Sequence, residues 1–578
     1  MDTTGATSKR EVGDLLLEQG KLTDKQLEAA RRRQRRLHVP QHTAILHLNF
    51  VSEEDAYRAL ASLYHLDFVD VAAAPLTPAI LELVPIKVIF NHRVVPLELR
   101  GEEILLAFAE PPRQAELGNL RLLLSRRFQP VLTTPSSLHA VIKKHFGLGA
   151  ETIQRLRDDR PANEPTVEAM FDVKQGEPGA VDASIANFVD QVLREALRLQ
   201  ATDIHLEPYA GRLKLRYRID GVLQEVPVPK GLHAFHPSII SRLKVMAGLN
   251  IAERRVPHDG RIGMKADDEE YDLRVSVIPT KYGEAVCLRV LGRQSLLLEF
   301  TQLGMDPDQE VLIKELTELP QGMVLLTGPT GSGKTTTLYT ALSHANDEGR
   351  KIITIEDPVE YSLEGVVQIQ TRDEVGLTFA SGLRSVLRHD PDVVLIGEIR
   401  DTETAEIAIR AAQTGHMVFS TLHTNDSLSA VTRLIDMGID PFLIGASLSC
   451  SIAQRLAQRI CRHCIEPDPV IPDPLLEEMT AATRIPAQDL RASRGRGCVE
   501  CSQRGYRGRV AIYEFFVMNE EISDLLGPDL KTGNLRHAAR RSGWRSLREN
   551  SWSKVHAGLI THAEVQRLTR RLQQPRIV

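Results

Sequence analysis

The apolar positions of this chain change their period along its length, and each change predicts a different architecture. Residues 12–30 and 43–61 each read as helix, loop, helix, with Leu22 and Thr23 matching Val51 and Ser52, and Ala30 matching Ala59, at an offset of 29 residues. Thr23 and Ser52 precede acidic residues, which is helix N-cap chemistry, so the two segments read as an internal duplication. Strand-like runs follow at 92–99 and 102–108, giving a small mixed module over 1–150. Residues 151–184 read as a linker, with Pro, Gly and acidic residues concentrated in 158–184. Ile185, Phe188, Val189, Val192, Leu193, Ala196 and Leu197 then share one 3.6-residue stripe and predict a helix. Leu213, Leu215, Tyr217 and Ile219 alternate with Lys214, Arg216 and Arg218, a half-buried strand that Asp220-Gly221 turns into a hairpin. Leu273, Val275 and Val277 alternate in the same way, so 185–295 reads as an α+β domain with an antiparallel sheet. From about residue 300 the apolar runs become continuous (323–327, 352–355, 393–397, 417–421) and are separated by helical stretches. Runs buried on both faces and spaced by helices predict a parallel α/β sheet over 296–455. A cysteine-bearing segment follows at 456–510, and 511–578 reads as helical.

Composition narrows the class. The chain has 578 residues, 42 % hydrophobic and 25 % charged, which excludes a wholly disordered, collagenous or disulfide-scaffold protein. Its 71 basic and 76 acidic residues leave a net charge of −5, so the global balance makes no case for nucleic acid. No apolar run approaches the roughly 20 residues of a membrane-spanning helix. The first residues lack an apolar signal core, so a multidomain cytoplasmic protein is expected. Of six cysteines, Cys461, Cys464, Cys498 and Cys501 form two C-x-x-C pairs across a 33-residue insert, while Cys287 and Cys450 stand in apolar context. Two such pairs supply four thiolates, which suits a closed tetrahedral zinc site of structural type.

The strongest chemical signal is Gly328-Pro329-Thr330-Gly331-Ser332-Gly333-Lys334-Thr335-Thr336, placed between a strand-like run and a helical one. That is the strand–loop–helix context of a phosphate-binding P-loop. Its glycines let backbone N–H groups turn to phosphate oxygens, Lys334 is expected on the β- and γ-phosphates, and Thr335 on Mg²⁺. The run 392–397 ends in Glu398, which is placed to orient or deprotonate an attacking water or to hold Mg²⁺ through water. The plain alternative is an edge carboxylate paired to Arg400. Two further polar clusters end apolar runs: Glu356 to Glu360, and His416 to His423. Acids and histidines at the carboxyl ends of parallel strands face the ligand crevice.

Together these segments resemble the secretion ATPases of the type II secretion and type IV pilus assembly family. The resemblance rests on 328–337 as the Walker A box, 354–360 as the aspartate box, 393–401 as the Walker B box and 414–426 as the histidine box. Segments at 201–208, 216–221, 251–262 and 272–291 are also family-like, so it covers roughly 185–578. The resemblance implies a multidomain α/β protein: a RecA-like P-loop ATPase core, a PAS-like domain before it, and a type II secretion ATPase-like domain at the N-terminus. It implies a homo-hexamer that hydrolyses ATP to turn an inner-membrane platform protein and so assemble a pseudopilus or pilus. It makes Glu398 the catalytic carboxylate, Glu356 the aspartate-box acid and His423 a histidine-box member. Arg274 and Arg289 match arginines that reach the phosphates from the preceding domain, where they would neutralise charge on the transferring phosphoryl. Alternate arginines on a strand are otherwise a solvated face. Assembly ATPases of the family carry a similar tetracysteine module.

Residues 10–65 resemble a domain that binds cyclic di-GMP in some relatives, but Glu11 stands where an arginine is expected, and His42 and Asn49 stand where glycines are. Losing the arginine weakens phosphate or guanine recognition and losing the glycines blocks close backbone approach. Cyclic di-GMP binding is therefore not expected. A docking module for a membrane-anchored partner is the expected role, with peripheral membrane contact only and no nucleic-acid partner. The rival readings are a pilus retraction motor, a nucleic-acid translocase on the same core and a nucleotide-binding scaffold.

Overall fold

The computed structural model describes residues 11–153, 180–266, 269–292, 298–347, 349–527 and 530–569. Most of the expected linker lies outside the described residues. The chain divides into two compact units: residues up to 289, apart from 219–222 and 263–273, form the first, and the rest form the second.

In the first unit, helices Val12–Glu18 and Asp24–Leu37 are followed by Gln41–His47 and Glu53–Leu63, the same pair shifted by 29 residues. Thr23 Oγ1 accepts the N–H of Gln26 and Ser52 Oγ accepts that of Asp55, as their N-cap positions predict. Leu16, Ala30, Ile45, Tyr57 and Leu60 bury the facing stripes against a three-stranded sheet. That sheet is β1 (Val94–Arg100), β2 (Glu103–Phe108) and β3 (Arg127–Leu132), with β1 and β2 antiparallel and β2 and β3 parallel. Beyond this module a helix spans Ala180–Arg198 and so begins five residues before the first residue of the predicted stripe. Its apolar face meets a six-stranded sheet built from β4 (Ala201–Tyr209), β5 (Arg212–Ile219), β6 (Val222–Val226), β7 (His258–Ala266), β8 (Glu269–Thr280) and β9 (Gly283–Gly292). The spatial order is β6-β5-β4-β9-β8-β7. The alternating residues Leu213, Leu215, Tyr217 and Ile219 are buried, and Tyr217 donates to the Val192 carbonyl at 2.8 Å, fixing helix to sheet. Asp220 and Gly221 both have positive φ (52° and 82°), as a two-residue hairpin turn requires.

The second unit holds a seven-stranded sheet. Its strands are β10 (Gly322–Thr327), β11 (Ile352–Glu356), β12 (Val366–Gln370), β13 (Val393–Ile396), β14 (Met417–Leu422), β15 (Leu448–Ile460) and β18 (Tyr506–Val517), in the order β12-β11-β13-β14-β10-β15-β18. Every pair is parallel except β15 with β18. All six residues of β10 are buried, which is why its sequence is an unbroken apolar run. A two-stranded ribbon, β16 (Ile465–Pro467) and β17 (Ser493–Gly495), sits within the cysteine segment.

Two expected boundaries change. β15 runs through 455/456, so the cysteine segment grows out of this seven-stranded sheet. Residues 511–517 are strand and not helix, because Val510, Ala511, Ile512, Tyr513 and Phe516 are buried as the last strand of that sheet. The acidic Glu514 interrupts this run in the sequence and hides its period. Four helices then follow between Glu520 and Thr569. No helix among the described residues is long and apolar enough to cross a membrane.

The matched caps give a direct test of the duplication. Thr23→Ala and Ser52→Ala should each lower the stability of the N-terminal module by about 1 kcal/mol, read by chemical denaturation; a change in one alone would break the equivalence.

Candidate functional site

The carboxyl ends of β10, β13 and β14 converge on one crevice, as they must in a parallel sheet, and the middle of β15 passes beside it. The loop 328–333 joins β10 to the helix Lys334–Ala345, whose first-turn N–H groups have no intrahelical acceptor. Gly328, Gly331 and Gly333 have φ of 148°, 78° and 88°. A Cβ on Gly328 would lie 2.6 Å from the Gln454 carbonyl oxygen, and one on Gly333 2.8 Å from Gln454 Nε2. The glycines are therefore required by conformation and by the close approach of β15. Pro329, Thr330, Gly331 and Thr335 are exposed, and Thr336 is half-buried. Ser332 is buried with its hydroxyl unpartnered among the described residues, as is Gln454 Oε1 below it. Lys334 Nζ donates to the carbonyls of Gly328 at 2.8 Å and Pro329 at 3.3 Å. Burial lowers its pKa; the nearby Glu398 carboxylate opposes this and Arg455 adds to it. Exposed turn, helix N-terminus, one ammonium and an unsatisfied hydroxyl make a cradle that fits polyphosphate.

Glu398 stands beside that cradle. Ser420 Oγ donates to the Ile396 carbonyl and Thr421 Oγ1 to the Gly397 carbonyl, both at 2.8 Å, and the Ile399 N–H donates to the Thr421 carbonyl at 3.1 Å. These bonds lock 396–399 to β14 and bring Glu398 Oε2 to 3.1 Å from His423 Nε2. Arg400 pairs with the other carboxylate oxygen, reaches Asp357 at 3.4 Å and lies over the Phe379 ring. The plain alternative, a carboxylate paired to Arg400, is thus present together with the crevice position. His416 does not border the site. It precedes β14 at the amino end and its Nδ1 contacts the Ala411 carbonyl at 3.1 Å.

Glu356 is also differently placed from expectation. It ends β11, but its carboxylate turns into the core, where Thr354 Oγ1 at 2.5 Å, Gln368 Nε2 at 3.1 Å and the Tyr339 hydroxyl donate to it. Tyr339 lies on the phosphate-loop helix, so Glu356 anchors that helix to the sheet. The neighbouring Asp357 is the box acid that meets Arg400. Arg274 and Arg289 lie in the first unit, on the adjacent strands β8 and β9. Arg289 Nε donates to Asp203 Oδ1 across β4 and β9 at 3.0 Å, and Arg218 meets the same carboxylate at 3.4 Å. Sequence reasoning missed Arg455, whose guanidinium donates to the Asn425 carbonyl at 3.0 Å and to the Gln454 carbonyl at 3.2 Å beside the loop. Its only sequence signal was a position just past an apolar run.

The four cysteines come together. Their sulfurs all lie within 4.8 Å of one another, with Cys461–Cys498 and Cys464–Cys501 at 3.8 Å and Cys498–Cys501 at 3.7 Å. A tetrahedral ion with bonds near 2.3 Å requires sulfurs about 3.8 Å apart. The N–H groups of Cys498 and Gly505 donate to Cys501 Sγ at 3.2 Å. Burial opposes ionisation of this thiol, yet these N–H groups together with hydrogen bonds from the Cys498 and Cys464 thiols outweigh it and lower its pKa. Cys450 is buried in the sheet core and Cys287 is half-buried.

The family model described as Type II/IV secretion system protein matches residues 179–567. The chain belongs to this family. It is 39 % identical over 566 residues to the Type IV pilus assembly ATPase PilB of Myxococcus xanthus, covering 96 % of this chain and 98 % of that one. To the Type II secretion system protein E of Xanthomonas campestris pv. campestris it is 37 % identical over 572 residues, covering 97 % and 99 %. To the Type II secretion system protein E of Pseudomonas aeruginosa it is 47 % identical over 390 residues, covering 67 % and 76 %. The chain is accordingly an ATPase. A second family model, the MshEN domain, matches residues 64–152. That match falls on the sheet-bearing part of the N-terminal module, downstream of most of the helix pairs at 10–65.

Gly333→Ala should strain a left-handed backbone position and press on Gln454. At about 1–2 kcal/mol the affinity for a fluorescent ATP analogue should fall about tenfold, with the far-UV circular dichroism unchanged; unchanged affinity would show that the loop tolerates a side chain there.

Proposed function

We propose that this chain is a homo-hexameric motor that hydrolyses ATP to assemble a type II secretion pseudopilus or a type IV pilus, acting on an inner-membrane platform protein. The observation that carries this reading is Glu398, held between Arg400 and His423 at the edge of a complete P-loop. Full-length similarity to both a pilus assembly ATPase and a type II secretion protein supports the cellular role and leaves either filament as its product. The tetracysteine cluster and the N-terminal module support assembly over retraction. The net charge of −5 gives no support to a nucleic-acid translocase. We assign 185–295 as the PAS-like domain and the seven-stranded sheet with its helices as the RecA-like core. The N-terminal module docks a membrane-anchored partner, so the protein is cytoplasmic with peripheral contact at the inner membrane.

In the proposed reaction the phosphates of ATP enter the cradle at 328–335, and Lys334 exchanges its loop carbonyls for β- and γ-phosphate oxygens. Thr335 and, through water, Glu398 would hold Mg²⁺, which supplies charge neutralisation to the polyphosphate when bound. Glu398 orients the attacking water and takes its proton as the water oxygen bonds to the γ-phosphorus and the bond to the ADP oxygen breaks. Arg400 and His423 keep the carboxylate aimed. Glu356 serves the site by holding the phosphate-loop helix, and Arg274 and Arg289 add positive charge to the phosphoryl group in the working assembly. The cysteines hold one structural zinc, closing Cys461–Cys501.

Cyclic di-GMP is not a ligand in this reading. The Glu11 side chain takes part in the capping of the first helix and accepts from Gln41 Nε2 at 2.6 Å, while His42 is buried. A carboxylate committed to these contacts repels phosphate where an arginine would attract it.

Three results are expected. Glu398→Gln should bind ATP normally and lose about a hundredfold or more in kcat; undiminished turnover would remove Glu398 from the chemistry. Metal analysis of freshly purified protein should give about one zinc per chain, and a value near zero would refute the cluster's role. In the source organism, deletion complemented by wild type but not by Glu398→Gln should abolish either secreted proteins or sheared surface pili. Loss of neither would overturn the motor reading.

A further inference from the structure

Glu514 is a buried carboxylate that the hydrolytic chemistry does not use. It sits in the middle of β18 at 2 % exposure, with no lysine or arginine bonded to it among the described residues. Its Oε1 accepts the Ser427 N–H at 2.8 Å and the Ser427 hydroxyl at 2.6 Å, while Oε2 accepts the Leu547 N–H at 2.8 Å. Burial raises its pKa, against the three donors, with a small further push from Asp426. Ser427 is the N-cap of helix Leu428–Asp436, and Leu547 is the first residue of helix Leu547–His556. The carboxylate thus bridges the positive ends of two helices, which is what lets an acid survive there. Trp544 Nε1 adds a bond to the Ser427 hydroxyl at 3.1 Å.

The other end of this loop is in the ATP site. His423 touches Glu398, the Asn425 carbonyl accepts from Arg455, and Thr327 Oγ1, at the foot of the phosphate loop, donates to the Asp426 carbonyl at 3.5 Å. Five residues, 423–427, therefore join the hydrolytic carboxylate at one end to Glu514 and the C-terminal helices at the other.

We propose that Glu514 is a positioning residue of the ATP site: it seats the loop 423–427 on the helix Leu547–His556, so that turnover depends on how the C-terminal helices are docked. The proposal rests on reading Glu398 and His423 as the hydrolytic pair. A carboxylate that only capped two helices would change stability and leave the turnover of folded enzyme alone. A positioning carboxylate changes kcat more than KM, because ATP is held by the phosphate loop and not by this segment.

Glu514→Gln in the full-length protein keeps the volume but turns an amide N–H₂ towards a donor. Its kcat per folded molecule should fall about tenfold or more, with KM for ATP within about twofold. Tryptophan emission gives a second readout, since the chain has only Trp544 and Trp552. ATP should change the emission of wild type, the change should vanish in Trp544→Phe, and Glu514→Gln should lose it while still binding ATP. Should Glu514→Gln fail to fold, Ser427→Ala removes the hydroxyl that Glu514 and Trp544 share, and should lower kcat at unchanged KM. A lower melting temperature with unchanged kcat in Glu514→Gln, or unchanged kcat in Ser427→Ala when the former cannot be purified, overturns the proposal. Normal hydrolysis by Glu398→Gln would instead defeat the underlying reading, whatever Glu514 does.

Discussion

The burial of β10 is the constraint on which the site depends. With neighbours on both edges and helices on both faces, the strand has every backbone group committed, and its six residues are all buried. Its carboxyl end is then fixed in space. The phosphate loop that follows has no freedom to drift, and Gly328 and Gly333 allow β15 to pass within the space a side chain would occupy. β14, on the other edge, carries Ser420 and Thr421, whose hydroxyls fasten the turn that bears Glu398. The phosphate loop and Glu398 are therefore held by two neighbours of one strand. A one-residue slip of β15 would disturb the loop, and one of β14 would displace Glu398.

Charge at the site is arranged for aim more than for stability. Glu398 is 17 % exposed, whereas Arg400 and His423 are each more than half exposed. Partners so open to water contribute little to folding, because solvent screens them and their side-chain entropy opposes the pairing. What they supply is direction: two fixed partners on different oxygens leave the carboxylate few orientations. Glu356 is the opposite case. Fully sheltered and satisfied by three donors, it lets a polar strand end join the core without an unpaired acceptor, and it ties the sheet to the phosphate-loop helix through Tyr339.

Legibility in the sequence followed the physics of each element. The phosphate loop was readable because its glycines, lysine and threonine are fixed by backbone conformation and by ligand chemistry at adjacent positions. The 29-residue repeat was readable because N-caps and apolar stripes are local. The cysteine pairs were readable because metal spacing is local within each pair. What escaped depends on contacts between distant segments. Glu356 looked like a crevice acid until Tyr339 and Gln368 were placed around it. His416 shared a segment with His423, yet six strand residues carry them to opposite ends of β14. β18 was obscured because a buried glutamate breaks its apolar run, and only Ser427 and Leu547, 87 and 33 residues away, explain why that acid is tolerated.

The same strand that floors the phosphate loop leads into the cysteine cluster. β15 contributes Gln454 and Arg455 beside the loop and ends at Ile460, next to Cys461; β18 returns from Tyr506, just past Cys501, and passes Glu514 on its way back. The two strands pair over 450–460 and 506–517, so a closed cluster at one end clamps the open end of a hairpin whose body lies in the ATPase sheet. Gly495 packs so tightly against Gly505 that a Cβ would meet the latter's carbonyl at 2.0 Å, which closes the base of the cysteine segment without a hydrophobic core of its own. Nearby Leu475, Met479, Trp552 and Val555 do share a core, so the insert and the last helices form one packed body. An antiparallel pair braced at its end is stiff along its length. The hairpin braced in this way carries Arg455 and Glu514, whose side chains bond to the loop beside Glu398.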